Sequence, residues 1–149
     1  MATNTLNKQI TIEGWRNVVV KLTGVLQVSD ISETALLLTD CFNNDPRLTL
    51  IGFRVDIVEY SIGSGIEVQL QWNANTPVPM LPLSGRGRIN AFNYGGLFPP
   101  LQQQTNGTYA YAQAGQDGSI NLVTTGFSAQ AVEAPQNFTV VLELCKLYR

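Results

Sequence analysis

The stretch LTLIGFRVDIVEYSIGSGIEVQLQW, Leu48 to Trp72, decides the fold class. Its second half alternates strictly, with Ile66, Val68, Leu70 and Trp72 on one parity and Glu67, Gln69 and Gln71 on the other. That is the period of a half-buried β-strand, in which successive side chains point to opposite faces. The first half also alternates, with Ile51, Phe53, Val55 and Ile57 in phase, and then changes parity to Val58, Tyr60 and Ile62. One extra residue in a strand flips every side chain beyond it, so this slip predicts a β-bulge. Gly63-Ser64-Gly65 offers the positive φ that a tight hairpin needs. Two antiparallel strands are expected, the first one bulged, with Trp72 in the core and not a surface platform.

The same period recurs outward from there. Phe138, Val140, Leu142 and Leu144 oppose Thr139, Glu143 and Cys145, with Val141 as an intruder. Asn17 to Val28 is almost continuously apolar, which predicts burial on both faces. Ser32 to Leu38 fits a short strand somewhat better than a helical turn capped by Ser32. Asp45-Pro46, Asn106-Gly107 and Asp117-Gly118 are turn signals. Pro77, Pro79 and Pro82 predict that Asn73 to Leu83 is extended but outside any ladder, because proline cannot donate. No segment has the ten to twelve periodic residues of a helix. About eight short strands divided by turns, in 149 residues, predict an all-β fold. The expected form is a single-domain antiparallel β-sandwich, jelly-roll-like, with long uncharged loops. It spans residues 1–149, with 1–14 as an N-terminal arm.

Charge is scarce, at 13 % of residues against the usual ~25 %. It is also absent in blocks. Between Val68 and Gln116 the only charged residues are Arg86 and Arg88, and Gly118 to Val132 has none. Phe92 to Asn121 has no clear strand pattern, which is too long for an idle loop. Protein interfaces deplete Lys, Asp and Glu and enrich aromatics and Arg. The expected interface residues are therefore Arg86, Arg88, Phe92, Tyr94, Phe98, Leu101, Tyr109 and Tyr111. Set against this is the plainer reading of neutral loops that pack on themselves.

The net charge of −2, with nine Lys and Arg over the whole chain, gives no basic face for nucleic acid. No run of about 18 apolar residues exists, so no membrane-spanning helix is expected. Met1 to Ile12 lacks a signal-peptide core, so synthesis in the cytoplasm without export is expected. The absence of histidine removes His-dependent triads and most zinc sites. Cys41 and Cys145 are expected as free thiols, Cys145 as a small buried hydrophobe. Asp56 and Glu59 share one strand but make a poor hydrolytic dyad. Asp40 and Asp45 flank Asn43-Asn44 without the spacing of a calcium loop. Ser84-Gly85-Arg86-Gly87-Arg88 resembles a phosphate cradle but lacks a Walker lysine and opens no helix. Its arginines are expected to pair with carboxylates on a neighbouring strand or subunit. No catalytic, cofactor-binding or metal-binding residue is expected.

Arg16-Asn-Val-Val-Val-Lys-Leu-Thr-Gly24, the hairpin from Ile51 to Trp72, the Leu83-Ser-Gly-Arg-Gly87 turn, the Phe92 to Leu97 stretch and Phe138-Thr-Val-Val-Leu-Glu-Leu144 together resemble one group of proteins. These are the small β-rich structural proteins encoded among the virion genes of tailed bacteriophages. The resemblance covers about Trp15 to Lys146 and rests on non-catalytic motifs. It implies a capsid decoration (cement) protein made in the host cytoplasm and located in the virion, or less often a tail or fibre-attachment piece. Its implied partners are itself, as a homo-oligomer such as a trimer, and the major capsid or other virion proteins. A carbohydrate-binding sandwich is the alternative, with an exposed Trp72 or Tyr94 as the sugar platform.

With soft ligands limited to two distant cysteines, chelation should not weaken the fold. The melting temperature is expected to stay the same when EDTA is added; a drop of several degrees would refute this.

Overall fold

Two 13-residue strands form the spine of the molecule, β4 (Leu50–Ile62) and β11 (Gln136–Tyr148). This computed structural model describes residues 3–127 and 135–149. The remaining strands are β1 (Thr5–Glu13), β2 (Asn17–Leu26), β3 (Ser32–Leu36), β5 (Glu67–Trp72), β6 (Val78–Leu83), β7 (Arg86–Asn90), β8 (Leu101–Gln103), β9 (Tyr109–Tyr111) and β10 (Ile120–Thr125). Short 3-10 turns lie at Leu38–Asp40 and Ala91–Tyr94. A five-stranded sheet has the order β1-β2-β11-β4-β7, and a four-stranded sheet the order β3-β10-β5-β6. β8 and β9 form a separate hairpin. Every pairing among these strands is antiparallel.

The inward faces of both sheets meet in a single core. Val18, Val20, Leu22 and Leu26 of β2, Phe53, Val55, Val58 and Ile62 of β4, and Phe138 to Leu144 on alternate positions of β11 supply one wall. Leu36, Val68, Leu70, Trp72, Ile120 and Leu122 supply the other. This is the expected antiparallel β-sandwich.

The parity slip in β4 is a bulge at Asp56. Glu143 pairs with Ile57 and Leu144 with Val55, so Asp56 faces no partner. Val55 and Val58 both point inward as a result, and Ile57 is only half-buried. Trp72 is 4 % exposed and belongs to the core. The turn closes with an Ile66 N–H to Gly63 carbonyl bond of 3.2 Å, but it makes no hairpin. β4 belongs to the five-stranded sheet and β5 to the four-stranded one, so the chain crosses here from one sheet to the other and the two strands do not pair. Neither Gly63 nor Gly65 has positive φ. The glycines serve close approach instead: a Cβ on Gly63 would lie 2.6 Å from the Gln136 side-chain oxygen, where β11 begins.

Five further expectations need correction. Residues 5–13 are not an arm but the edge strand β1, paired along β2; Met1 and Ala2 lie outside the described residues. β2 buries one face only, because Lys21 and its neighbours on that parity face outward. Val78–Leu83 does join a ladder, on β5, with a register shift at Leu70/Gln71. β6 is an edge strand, where the missing proline N–H groups disturb only one side. The span Phe92 to Asn121 contains the β8–β9 hairpin and the start of β10. Finally, Cys145 is half-buried on the outer parity of β11, and it is Cys41 that is buried; both are free thiols. Ser32–Leu36 forms the short strand that was favoured there. Among the described residues, no helix is long and apolar enough to cross a membrane.

Phe138 stands directly opposite Gly24, and a Cβ on that glycine would lie 2.1 Å from the ring. The aromatic thus fills the space its cross-strand partner leaves open. Trp72 fills the opposite wall. Trp72→Ala is expected to lower unfolding free energy by about 3–5 kcal/mol, the usual cost of emptying an aromatic site in a core. Urea unfolding measures it, and a mutant as stable as the parent would place the ring outside the core.

Candidate interaction surface

The bulge at Asp56 also builds the outer surface. Arg54 binds the Asp56 carboxylate in a two-pronged contact, Nε to Oδ1 at 2.6 Å and Nη2 to Oδ2 at 3.1 Å. Its guanidinium lies over the rings of Phe92, at 5.7 Å, and Phe98, at 6.0 Å. A cation over an aromatic face is attracted by the ring quadrupole. The segment holding these rings is stitched to β4 by two backbone bonds, Val55 N–H to Leu97 carbonyl at 2.9 Å and the reverse at 2.8 Å. Gly96 makes this approach feasible. Its φ is +87°, and a Cβ there would lie 2.6 Å from the Arg54 side chain.

Phe98 continues the surface toward the end of the sandwich. With Ile51, Pro99, Leu101, Tyr109, Leu147 and Tyr148 it lines an apolar hollow of about 340 Å³. Phe92 borders a second hollow with Ile12, Val19, Ile57 and Leu144. Phe92, Phe98 and Tyr109 remain well exposed. Tyr94, on the tip of the 3-10 turn, is 92 % exposed. Single exposed apolar residues need no explanation, but adjoining ones mark interaction sites.

Four of the expected interface residues thus surround one surface: Phe92, Phe98, Leu101 and Tyr109. Tyr94 projects beside it. Tyr111 is turned inward, its hydroxyl donating to the Ile51 carbonyl at 2.8 Å. Burial, with a smaller contribution from Asp117, pushes its pKa up. Arg86 and Arg88 lie on the edge strand β7, where Arg88 meets Glu59 of neighbouring β4 at 3.1 Å. Arg54 and Ile12 were not anticipated. Arg54 belongs to the charged half of the chain, and only the pairing of Leu97 with Val55 brings it to the aromatic segment.

Beneath the end of the sandwich lies a buried cation. The Lys146 ammonium is fully enclosed and donates to Glu13 Oε2 at 2.9 Å, the Asn43 carbonyl at 2.7 Å and Asn44 Oδ1 at 2.8 Å. All three of its hydrogens are therefore used. It ties the end of β1, the loop after Asp40 and the last strand together. Tyr148 adds a hydroxyl bond to the Trp15 carbonyl. Burial raises the Glu13 pKa, but the hydrogen bond and charge of Lys146, with the amides of Asn43 and Phe42, outweigh it and hold the carboxyl below its usual range.

The other candidate carboxylates are likewise engaged. Asp40 pairs with Lys8 and accepts the Leu37 N–H, and Asp45 grips Arg47 through both oxygens. Asp56 is held by Arg54 and Glu59 by Arg88. Burial pushes the Cys41 thiol up to about 11, far from a reactive thiolate. Protein-family models, curated proteins and solved structures give no match to this chain.

Because the Glu13 carboxyl is held below its unfolded value, its contribution is complete above about pH 4.5 and is lost as pH falls through the folded value. Asp117 follows the same direction: burial raises its pKa, but Asn73 and Ser119 lower it further. Glu13→Gln is expected to cost about 3 kcal/mol at neutral pH, since it strips a buried ammonium of its counter-charge. It should also flatten the fall in stability between neutral and acid pH. Urea midpoints at pH 7 and pH 3 check both, and an unchanged slope would refute the assignment.

Proposed function

We propose that this protein is a non-enzymatic structural component of a tailed-phage virion, assembling through the aromatic end of its sandwich. The observation that carries the reading is the Phe92–Arg54–Phe98 cluster continuing into the hollow beside Leu101 and Tyr109. It combines aromatic anchors with an arginine, the residue types that dominate binding energy at interfaces. The charge-poor block that supplies its rings keeps unpaired charges out of a surface that assembly would bury.

The strand order adds support. We read β2-β11-β4-β7 facing β3-β10-β5-β6 as a jelly roll, with β1 added beside β2 and the β8–β9 hairpin inserted between β7 and β10. Jelly rolls are common in viral shells, though fold alone never implies function. Within this reading the partners are further copies of the chain and the major capsid protein, and decoration of the shell is preferred to attachment at the tail. A carbohydrate-binding module is the second reading. Trp72 lies in the core, so Tyr94 with its exposed ring is the platform such a module would use.

Sedimentation tests the assembly. The wild type is expected to be oligomeric and to co-sediment with particles. Phe98→Lys and Tyr109→Lys are expected to give monomers that no longer bind particles. Both sites are exposed, so unfolding free energy should stay within about 0.5 kcal/mol. Gln69→Lys, on the outer face of β5, serves as the control and should assemble normally. A wild type that is monomeric at high concentration and absent from particles would overturn the proposal.

A further inference from the structure

β7 is the outermost strand of the five-stranded sheet, so among the described residues one of its edges faces no other strand. One hydrogen bond tells which backbone groups face outward. The Ile62 N–H donates to the Gly85 carbonyl at 2.7 Å, which makes these two a hydrogen-bonded pair. In an antiparallel ladder such pairs alternate with non-bonded ones. The register continues without a shift through Ser61↔Arg86, Tyr60↔Gly87, Glu59↔Arg88, Val58↔Ile89 and Ile57↔Asn90. Gly87 and Ile89 therefore bond β4. The N–H and C=O groups of Arg86, Arg88 and Asn90 point to the open edge.

The side chains of those three residues share one face. Arg86 makes no ion pair among the described residues, while Arg88 shares Glu59 and stays half-exposed. On the same face lies a depression of about 470 Å³, bordered by Glu59, Ser61 and Thr139. The Asn90 side-chain oxygen is buried with no hydrogen-bond partner. An unsatisfied buried acceptor is costly and marks a place where a donor is missing.

We propose that β7 accepts an extended acidic segment of another protein as a sixth, antiparallel strand. Its carboxylates, two residues apart, lie opposite Arg86 and Arg88, and a hydroxyl or amide side chain lies opposite Asn90. Strand addition takes affinity from the main chain and specificity from alternate side chains. Residues directly opposite on one face interact, and arginine binds a carboxylate through two parallel bonds. The other sheet edges lack this chemistry. β6 carries Pro79 and Pro82, which donate nothing, Lys8 on β1 is already paired with Asp40, and β3 carries Glu33. Backbone donors and acceptors spaced as a strand favour a peptide over an acidic polysaccharide. This site is separate from the aromatic end and does not depend on the virion reading.

The test is fluorescence anisotropy with the full chain and a labelled peptide containing Thr-Val-Glu-Val-Glu. Saturable binding is expected, weakened at least about tenfold by Arg86→Glu and by Arg88→Glu. N-methylation of the Thr and Glu amides, which face β7, should weaken it as much. N-methylation of the Val amides should leave it within about twofold, since those groups face away. Phe98→Lys should bind the peptide like the wild type, which separates this site from assembly. Failure of the wild type to bind would overturn the proposal. So would binding indifferent to amide methylation, which means charge alone, or full competition by a polyuronate, which means a polysaccharide site.

Discussion

The pairing of β4 with β11 constrains the rest of the molecule. β11 alternates without a break, presenting Phe138, Val140, Leu142 and Leu144 to the core. β4 does not, because its two halves carry their apolar residues on opposite parities. In a regular ladder one half would turn out to solvent, exposing either Phe53 and Val55 or Val58 and Ile62. Each such side chain is worth about 1.5–3 kcal/mol when buried, so the misfit would cost far more than one unpaired residue. Leaving Asp56 out of the ladder resolves it. The extra residue then needs an electrostatic partner, and Arg54 supplies one on the same face.

From that local repair the aromatic surface follows. A guanidinium held in plane by a two-pronged carboxylate contact keeps its flat faces available. Phe92 and Phe98 occupy that space, brought there by the Val55–Leu97 bridge and by the absence of a Cβ at Gly96. The requirement that put both halves of β4 into the core thus also organises what lies outside it. Lys146 acts in a similar way at the strand's other neighbour. Its buried ammonium draws Glu13, Asn43 and Asn44 together and closes the end of the sandwich beneath the hollow.

What was legible in the sequence was local and periodic. The bulge, the core position of Trp72 and the core face of β11 all follow from period two, whereas the expected hairpin at Gly63–Gly65 does not form, because β4 and β5 join different sheets. The rest depended on partners distant in sequence. β2 looked buried on both faces because Val19 and Val25 are apolar, yet they share the outer parity with the exposed Lys21. β6 looked unable to pair because of its prolines, a rule that holds for central strands and not for edges. β1 carries a weak alternation, with only Leu6 and Ile10 packed against the core, so its pairing with β2 was not apparent. The aromatic residues of the candidate surface were found through the charge gap, but Arg54 was not. Composition marks a surface segment; it does not reveal which strand that segment docks on.

The distribution of cations extends this point. Within the block from Val68 to Gln116 the chain retains two charges, and both sit on β7 with their backbone groups facing an open edge. Cationic side chains on an edge protect against self-association, because a second copy of the same edge would bring like charges together. The same pair is an attraction for a strand of opposite charge. Protection against self-pairing and selection of an acidic partner therefore come from one arrangement, Arg86-Gly87-Arg88. At the aromatic end the logic reverses: Arg54 is already neutralised by Asp56, so an apolar surface can close over it without stranding a charge. The two proposed kinds of recognition thus use separate surfaces, one apolar at the sandwich end and one electrostatic at the sheet edge. The bulged strand β4 supports both.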